Sequence, residues 1–128
     1  MKSELLVVVL WTLGGCGGAR PGALDGDWTA TVLDLKTNEA APCGGDSTAT
    51  LSGALALHED PPGIVSGNVV LCGERSPVLG QVDAAGGFEF SMEDFGLVVR
   101  DGHHDGAGSL VGAATTPRGM YSFKARRR

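Results

Sequence analysis

From Asp25 to the C-terminus, apolar and polar residues alternate in short runs, and the runs are separated by breaks rich in glycine and proline. Side chains on an extended strand point alternately to its two faces, so a period of two predicts half-buried β-strands. The cleanest run is 48–58, with Ala49, Leu51, Gly53, Leu55 and Leu57 on one face and Thr48, Thr50, Ser52 and His58 on the other. Trp28, Ala30 and Val32 alternate with Thr29 and Thr31; Phe88, Phe90 and Met92 with Glu89 and Ser91; Tyr121, Phe123 and Ala125 with Ser122, Lys124 and Arg126. Residues 64–72, 77–83, 97–100 and 107–114 supply four less regular runs. Turn residues mark the breaks at Pro61-Pro62-Gly63, Gly73-Glu74, Gly86-Gly87, Asp101-Gly102 and Pro117-Arg118-Gly119. No window of eleven residues carries a helical period.

Short links favour antiparallel neighbours, because a parallel crossover needs a dozen or more residues. The predicted fold is therefore all-β: a single antiparallel up-and-down barrel of about eight strands, with a flattened β-sandwich as the alternative. Closing the barrel removes exposed strand edges. The 21 glycines less Gly14 and Gly15, 19 in all after residue 15, suit strongly coiled strands. A barrel this small can be filled by its own side chains.

The N-terminus has a different character. Residues 5–13 are almost wholly apolar, too short to cross about 30 Å of hydrocarbon as a helix but the length of a signal-peptide core, with Lys2 before it. Leu13-Gly14-Gly15-Cys16 follows at once. This motif resembles the lipobox of bacterial lipoproteins: an aliphatic residue, two small residues, then the cysteine that is lipidated. The resemblance implies cleavage after residue 15, acyl chains on Cys16 and a location outside the cytoplasm. Gly17, rather than Asp, after the cysteine implies sorting to the outer membrane. The alternative is an ordinary secretory signal with an incidental cysteine, and Glu4 departs from the usual basic start. Residues 16–24, rich in Gly and Pro, then read as the lipidated cysteine and a flexible tether, and 25–128 as one barrel domain.

Setting Cys16 aside leaves Cys43 and Cys72. In an oxidising compartment this pair predicts one disulfide, closing a loop of about 30 residues and worth roughly 3–4 kcal/mol in the chain-entropy model. Two free thiols are the alternative; a zinc site is disfavoured, because no CxxC spacing is present.

The barrel too carries a resemblance. Leu24-Asp25-Gly26-Asp27-Trp28 looks like the Gly-x-Trp start of lipocalins and other calycins. That likeness implies that Trp28 closes one barrel end and that a basic residue of the last strand, Arg126 or Lys124, packs across it. In outline the chain also resembles small periplasmic barrels that inhibit secreted metallopeptidases, which combine an early Gly-x-Trp strand, one disulfide and a basic C-terminus.

Chemistry-bearing clusters are few. Asp101-Gly102-His103-His104-Asp105-Gly106 gathers metal-ligand types, but neighbours on a strand face opposite ways, so His103 and His104 converge only within a turn. A polar hairpin turn is the expected reading, with His103, His104 and Asp105 as the alternative metal candidates. His58-Glu59-Asp60, before Pro61-Pro62, reads as a loop tip. There is no G-x-S-x-G elbow and no GxxxxGK[ST] loop. No enzyme activity and no cofactor are expected.

The formal charge of −5 argues against nucleic acid, whose binders need basic patches. The basic exception is Arg126-Arg127-Arg128 at the C-terminus: a solvated end with one arginine capping the barrel, or a contact for anionic headgroups. The expectation is a lipid-anchored envelope protein acting as a non-catalytic binding module, its partner a small apolar ligand or another envelope component. Inhibition of a secreted or periplasmic peptidase is the alternative.

Overall fold

The alternating runs become eight strands in a computed structural model that describes residues 22–43, 48–105 and 108–128. They are β1 (Gly26–Asp34), β2 (Ser52–Glu59), β3 (Ile64–Leu71), β4 (Glu74–Val82), β5 (Gly87–Met92), β6 (Leu97–His104), β7 (Ser109–Thr116) and β8 (Gly119–Arg127), with a short 3₁₀ turn at Glu93–Phe95. Each strand pairs antiparallel with the next, and β8 returns to β1, so the sheet closes as an up-and-down barrel. The sandwich alternative is not adopted: the β1–β8 register runs unbroken from Trp28↔Arg127 to Asp34↔Tyr121.

The alternation decides what fills the barrel. Trp28, Ala30 and Val32 of β1, Leu55 and Leu57 of β2, Phe88, Phe90 and Met92 of β5, and Phe123 and Ala125 of β8 all point inward and are buried. Val65, Val69, Val99 and Leu110 complete the interior from β3, β6 and β7. Phe88 stacks on Phe90 with ring centroids 4.6 Å apart. The interior is thus packed with side chains from every wall, as expected for a barrel with so few large residues to spare.

Two expected features come out differently. Asp101-Gly102 is not a turn but a β-bulge inside β6, where the register against β7 shifts between Arg100 and His103. Asp101 sits at φ 53°, a left-handed conformation that Asp tolerates. Gly102 then faces inward beneath the Phe88 ring, where an added Cβ would lie 2.3 Å from a ring carbon. The Asp-Gly pair therefore serves packing rather than chain reversal. The reversal comes after His104, where the Asp105 and Ser109 backbones pair and Ser109 N donates to Asp105 Oδ1; Gly106 lies outside the described residues.

The second difference is the connection between β1 and β2, described over 35–43 and 48–51, whose first part the alternation leaves without a structure. It doubles back beside the end of β1: Leu33 bridges to Ala40 and Pro42 to Thr50. Val32 N donates to Leu51 O, and Leu51 N to Ala41 O. Ala41 is buried by this fold-back. Strand β2 consequently begins at Ser52, later than the run from residue 48 suggested.

Candidate binding surface at the open end of the barrel

The up-and-down topology gives the barrel two ends of unlike construction. At the first end lie the start of β1 and the finish of β8. The chain before β1 folds over this end: Asp25 N donates to Gly22 O, and Trp28 Nε1 donates to Leu24 O at 3.0 Å. Leu24 is buried. Residues 22–24, expected as the last of a tether, are thus part of the barrel's seal.

Three side chains fasten that segment. Glu59 accepts from Gly22 N and from Gly63 N, both at 2.9 Å. Asp25 accepts from Glu59 N at 2.7 Å and lies 3.2 Å from His58 Nδ1. Arg127 donates to the Asp25 and Ala23 carbonyls at 2.7 and 2.9 Å, with its guanidinium 4.1 Å from the centre of the Trp28 ring. The residue that packs across Trp28 is therefore Arg127, not Arg126 or Lys124. The alternation itself is the cause: with Phe123 and Ala125 inward, Arg127 is next on that face, while Lys124 and Arg126 point to solvent. Gly26 makes room for it. At φ 129°, its added Cβ would come within 2.7 Å of Arg127 Nη1.

His104 completes this end from inside. Its ring meets Trp28 edge-on, with centroids 6.1 Å apart. His103 is exposed on the outer wall. The two imidazoles therefore diverge, and among the described residues no group of three His, Cys, Asp or Glu side chains is placed to hold a metal ion. The bridging roles of Glu59 and Asp25 went unread in the sequence; a carboxylate just before Pro61-Pro62-Gly63 was the available signal.

At the opposite end the strands finish beside the described parts of the fold-back, 35–43 and 48–51. Cys43 and Cys72 are joined, as their pairing predicted, with Cα atoms 5.9 Å apart. The bond pins the fold-back to the tight β3–β4 turn. Beside it is a depression of about 290 Å³ with Leu51, Phe95, Leu97 and Tyr121 in its wall and Pro42 and Pro117 at its edge. Leu97 is buried, while Leu51, Phe95 and Tyr121 are half-buried, each offering part of an apolar face. Glu74 and Arg118 add one charge of each sign.

The base of the fold-back is set by Asp34. Its Oδ1 accepts from Lys36 N at 2.8 Å and Thr37 N at 3.1 Å. These backbone donors, with the nearby Lys36 charge, hold the Asp34 carboxyl below its ordinary pKa.

A larger hollow of about 510 Å³ lies toward the sealed end, beside the β4–β5 turn and the β6 bulge, by Asp83, Glu89 and Asp101. Asp83 is already committed to its turn, accepting from Ala85 N and Gly87 N. The smaller depression is the better candidate for recognition, since it combines partly exposed aromatic and aliphatic surface with a few polar groups at its rim. Leu13-Gly14-Gly15-Cys16 lies outside the described residues. The chain matches no family model, no curated protein and no solved structure.

Proposed function

We propose that the chain is a bacterial envelope lipoprotein, cleaved before Cys16 and anchored there to the outer membrane, whose barrel is a non-catalytic binding module. Its binding surface is the open-end depression, and its ligand is a small apolar molecule or an apolar side chain of an envelope partner. The observation that carries the binding reading is the half-buried trio Leu51, Phe95 and Tyr121 around a concave site, beside a disulfide that holds one wall in place. A packed interior moves the ligand from inside the barrel to its end. The site lies near the lower limit of about 300–1,000 Å³ for small-molecule pockets, so it suits a single ring or one branched aliphatic group.

Nuclear magnetic resonance with a library of small aromatic and aliphatic fragments tests this directly. Shifts concentrated at Leu51, Phe95 and Tyr121, and weakened by Phe95→Ala, are expected. Shifts spread over the side walls, or none with any fragment, would remove the ligand reading.

Peptidase inhibition ranks second. It calls for a segment before Trp28 that inserts into an enzyme, whereas Gly22–Asp25 is bonded to its own barrel. Only residues before Gly22 remain for insertion. Lack of inhibition across a panel of periplasmic and secreted metallopeptidases would close that reading.

A further inference from the structure

The three C-terminal arginines do not act as one group. Strand alternation turns Arg127 inward onto Trp28 and leaves Lys124, Arg126 and Arg128 in one outward row. All three are exposed. Beside them on β1 are Thr29 and Thr31, and Arg128 Nε lies 3.2 Å from Thr29 Oγ1. The outward positions of β7, β8, β1 and β2 carry, among the described residues, one carboxylate, Asp27. In a chain of formal charge −5, this wall is therefore a local cationic surface.

We infer that the β8–β1 wall is a docking surface for anionic phospholipid headgroups, and that it sets how the barrel lies on its membrane. Arginine and lysine donors match phosphate oxygens, and the neighbouring threonine hydroxyls add neutral donors. The position of the row supplies the reason to choose a membrane over other polyanions. It runs toward the sealed end, which is also where the chain before Gly22 arrives. The stretch from Cys16 to Gly22 reaches at most about 20 Å even when fully extended. An acyl anchor on Cys16 would therefore keep the sealed end close to the bilayer, with Arg126 and Arg128 near its surface. The open-end depression would face away, toward partners. This orientation rests on the lipoprotein reading; the affinity of the wall for anionic lipid does not.

The test uses the full chain carrying Cys16→Ser, which has no acylation site, and vesicles of phosphatidylcholine with or without phosphatidylglycerol. With three cations offset by Asp27, partition onto the anionic vesicles should exceed that onto neutral ones by about thirtyfold at low salt. High salt should abolish the difference. Lys124→Gln/Arg126→Gln/Arg128→Gln should bring the ratio to one, whereas Arg100→Gln, an exposed cation of β6, should leave it unchanged. All these positions are exposed, and matching thermal unfolding will confirm that the variants fold. A wild-type ratio of one, or a triple variant that keeps the ratio, would overturn the proposal. So would stronger competition by inorganic phosphate than by chloride at equal ionic strength, since that would reveal a discrete phosphate site. Intact mass of the wild-type membrane product reports acylation separately, so failure of the anchor and failure of the wall are distinguishable.

Discussion

The two ends of the barrel solve the same problem by different means. At the sealed end, the chain's own residues meet every requirement: Leu24 and Trp28 supply apolar cover, Glu59 and Asp25 take backbone N–H groups, and Arg127 satisfies two carbonyls while covering an aromatic ring. At the open end, a long connection is folded back and fixed by one covalent bond, leaving Leu51, Phe95 and Tyr121 half-covered. A closed barrel has no free strand edge to offer a partner. Any recognition would then use an end or an outer wall; the incompletely covered end offers Leu51, Phe95 and Tyr121 in a concavity, while the β3–β4 wall exposes Ile64 and Leu79 on a flatter face.

The contrast can be broken most severely at Trp28. It is fully buried and touched by Leu24, His104 and Arg127. Trp28→Ala should cost about 3–5 kcal/mol in denaturant unfolding, and hydrogen exchange should quicken first in 22–25 and the end of β8. Next comes the disulfide. Cys43→Ser/Cys72→Ser should lower stability by about 2–4 kcal/mol while loosening the fold-back 35–51, with β1–β8 pairing still protected. Equal loss of protection at both ends would show that the ends are not independent.

Smaller effects sharpen the comparison. Arg127→Ala removes two hydrogen bonds and a cation–π contact and should cost about 1–2 kcal/mol. Arg126→Ala, one residue away but outward, should stay within about 0.5 kcal/mol. If the two variants unfold alike, the assignment of Arg127 to the seal is wrong. The smallest effect concerns Asp34. Its folded pKa is depressed, so its contribution to the fold-back is present above the ordinary carboxylate range and fades as pH falls through the lowered folded value. Amide resonances of Lys36 and Thr37 should follow that titration, and Asp34→Asn should flatten it.

Much of this was legible in the sequence where one periodicity acted alone. The inward faces of β1, β5 and β8 follow directly from alternation, and the mostly short links favour antiparallel neighbours; closure over a sandwich is decided by the β1–β8 register. The same alternation already pointed to Arg127 instead of Arg126: counting inward from Phe123 through Ala125 reaches it. The family likeness, from which Arg126 or Lys124 was expected, specifies a basic residue of the last strand but not its position. Asp101-Gly102 misled for another reason. A pair that favours left-handed backbone serves a bulge as well as a hairpin turn, and the Phe88 ring that needs a bare glycine comes from a strand remote in sequence. Residues 35–43 have no periodic signal, since their order comes from bonds to Val32 and Leu33 and from Cys72. The open-end depression was unreadable because its wall is assembled from five separate stretches of chain.

The most direct test of an anchored, disulfide-pinned barrel is the intact mass of the membrane-fraction product from full-length expression in a Gram-negative host, read before and after reduction. The expected product begins at an acylated Cys16 and gains two hydrogens on reduction, as Cys43 and Cys72 part. A product that retains residues 1–15, or that starts elsewhere without acyl chains, would contradict the anchor and with it the proposed orientation of the two ends.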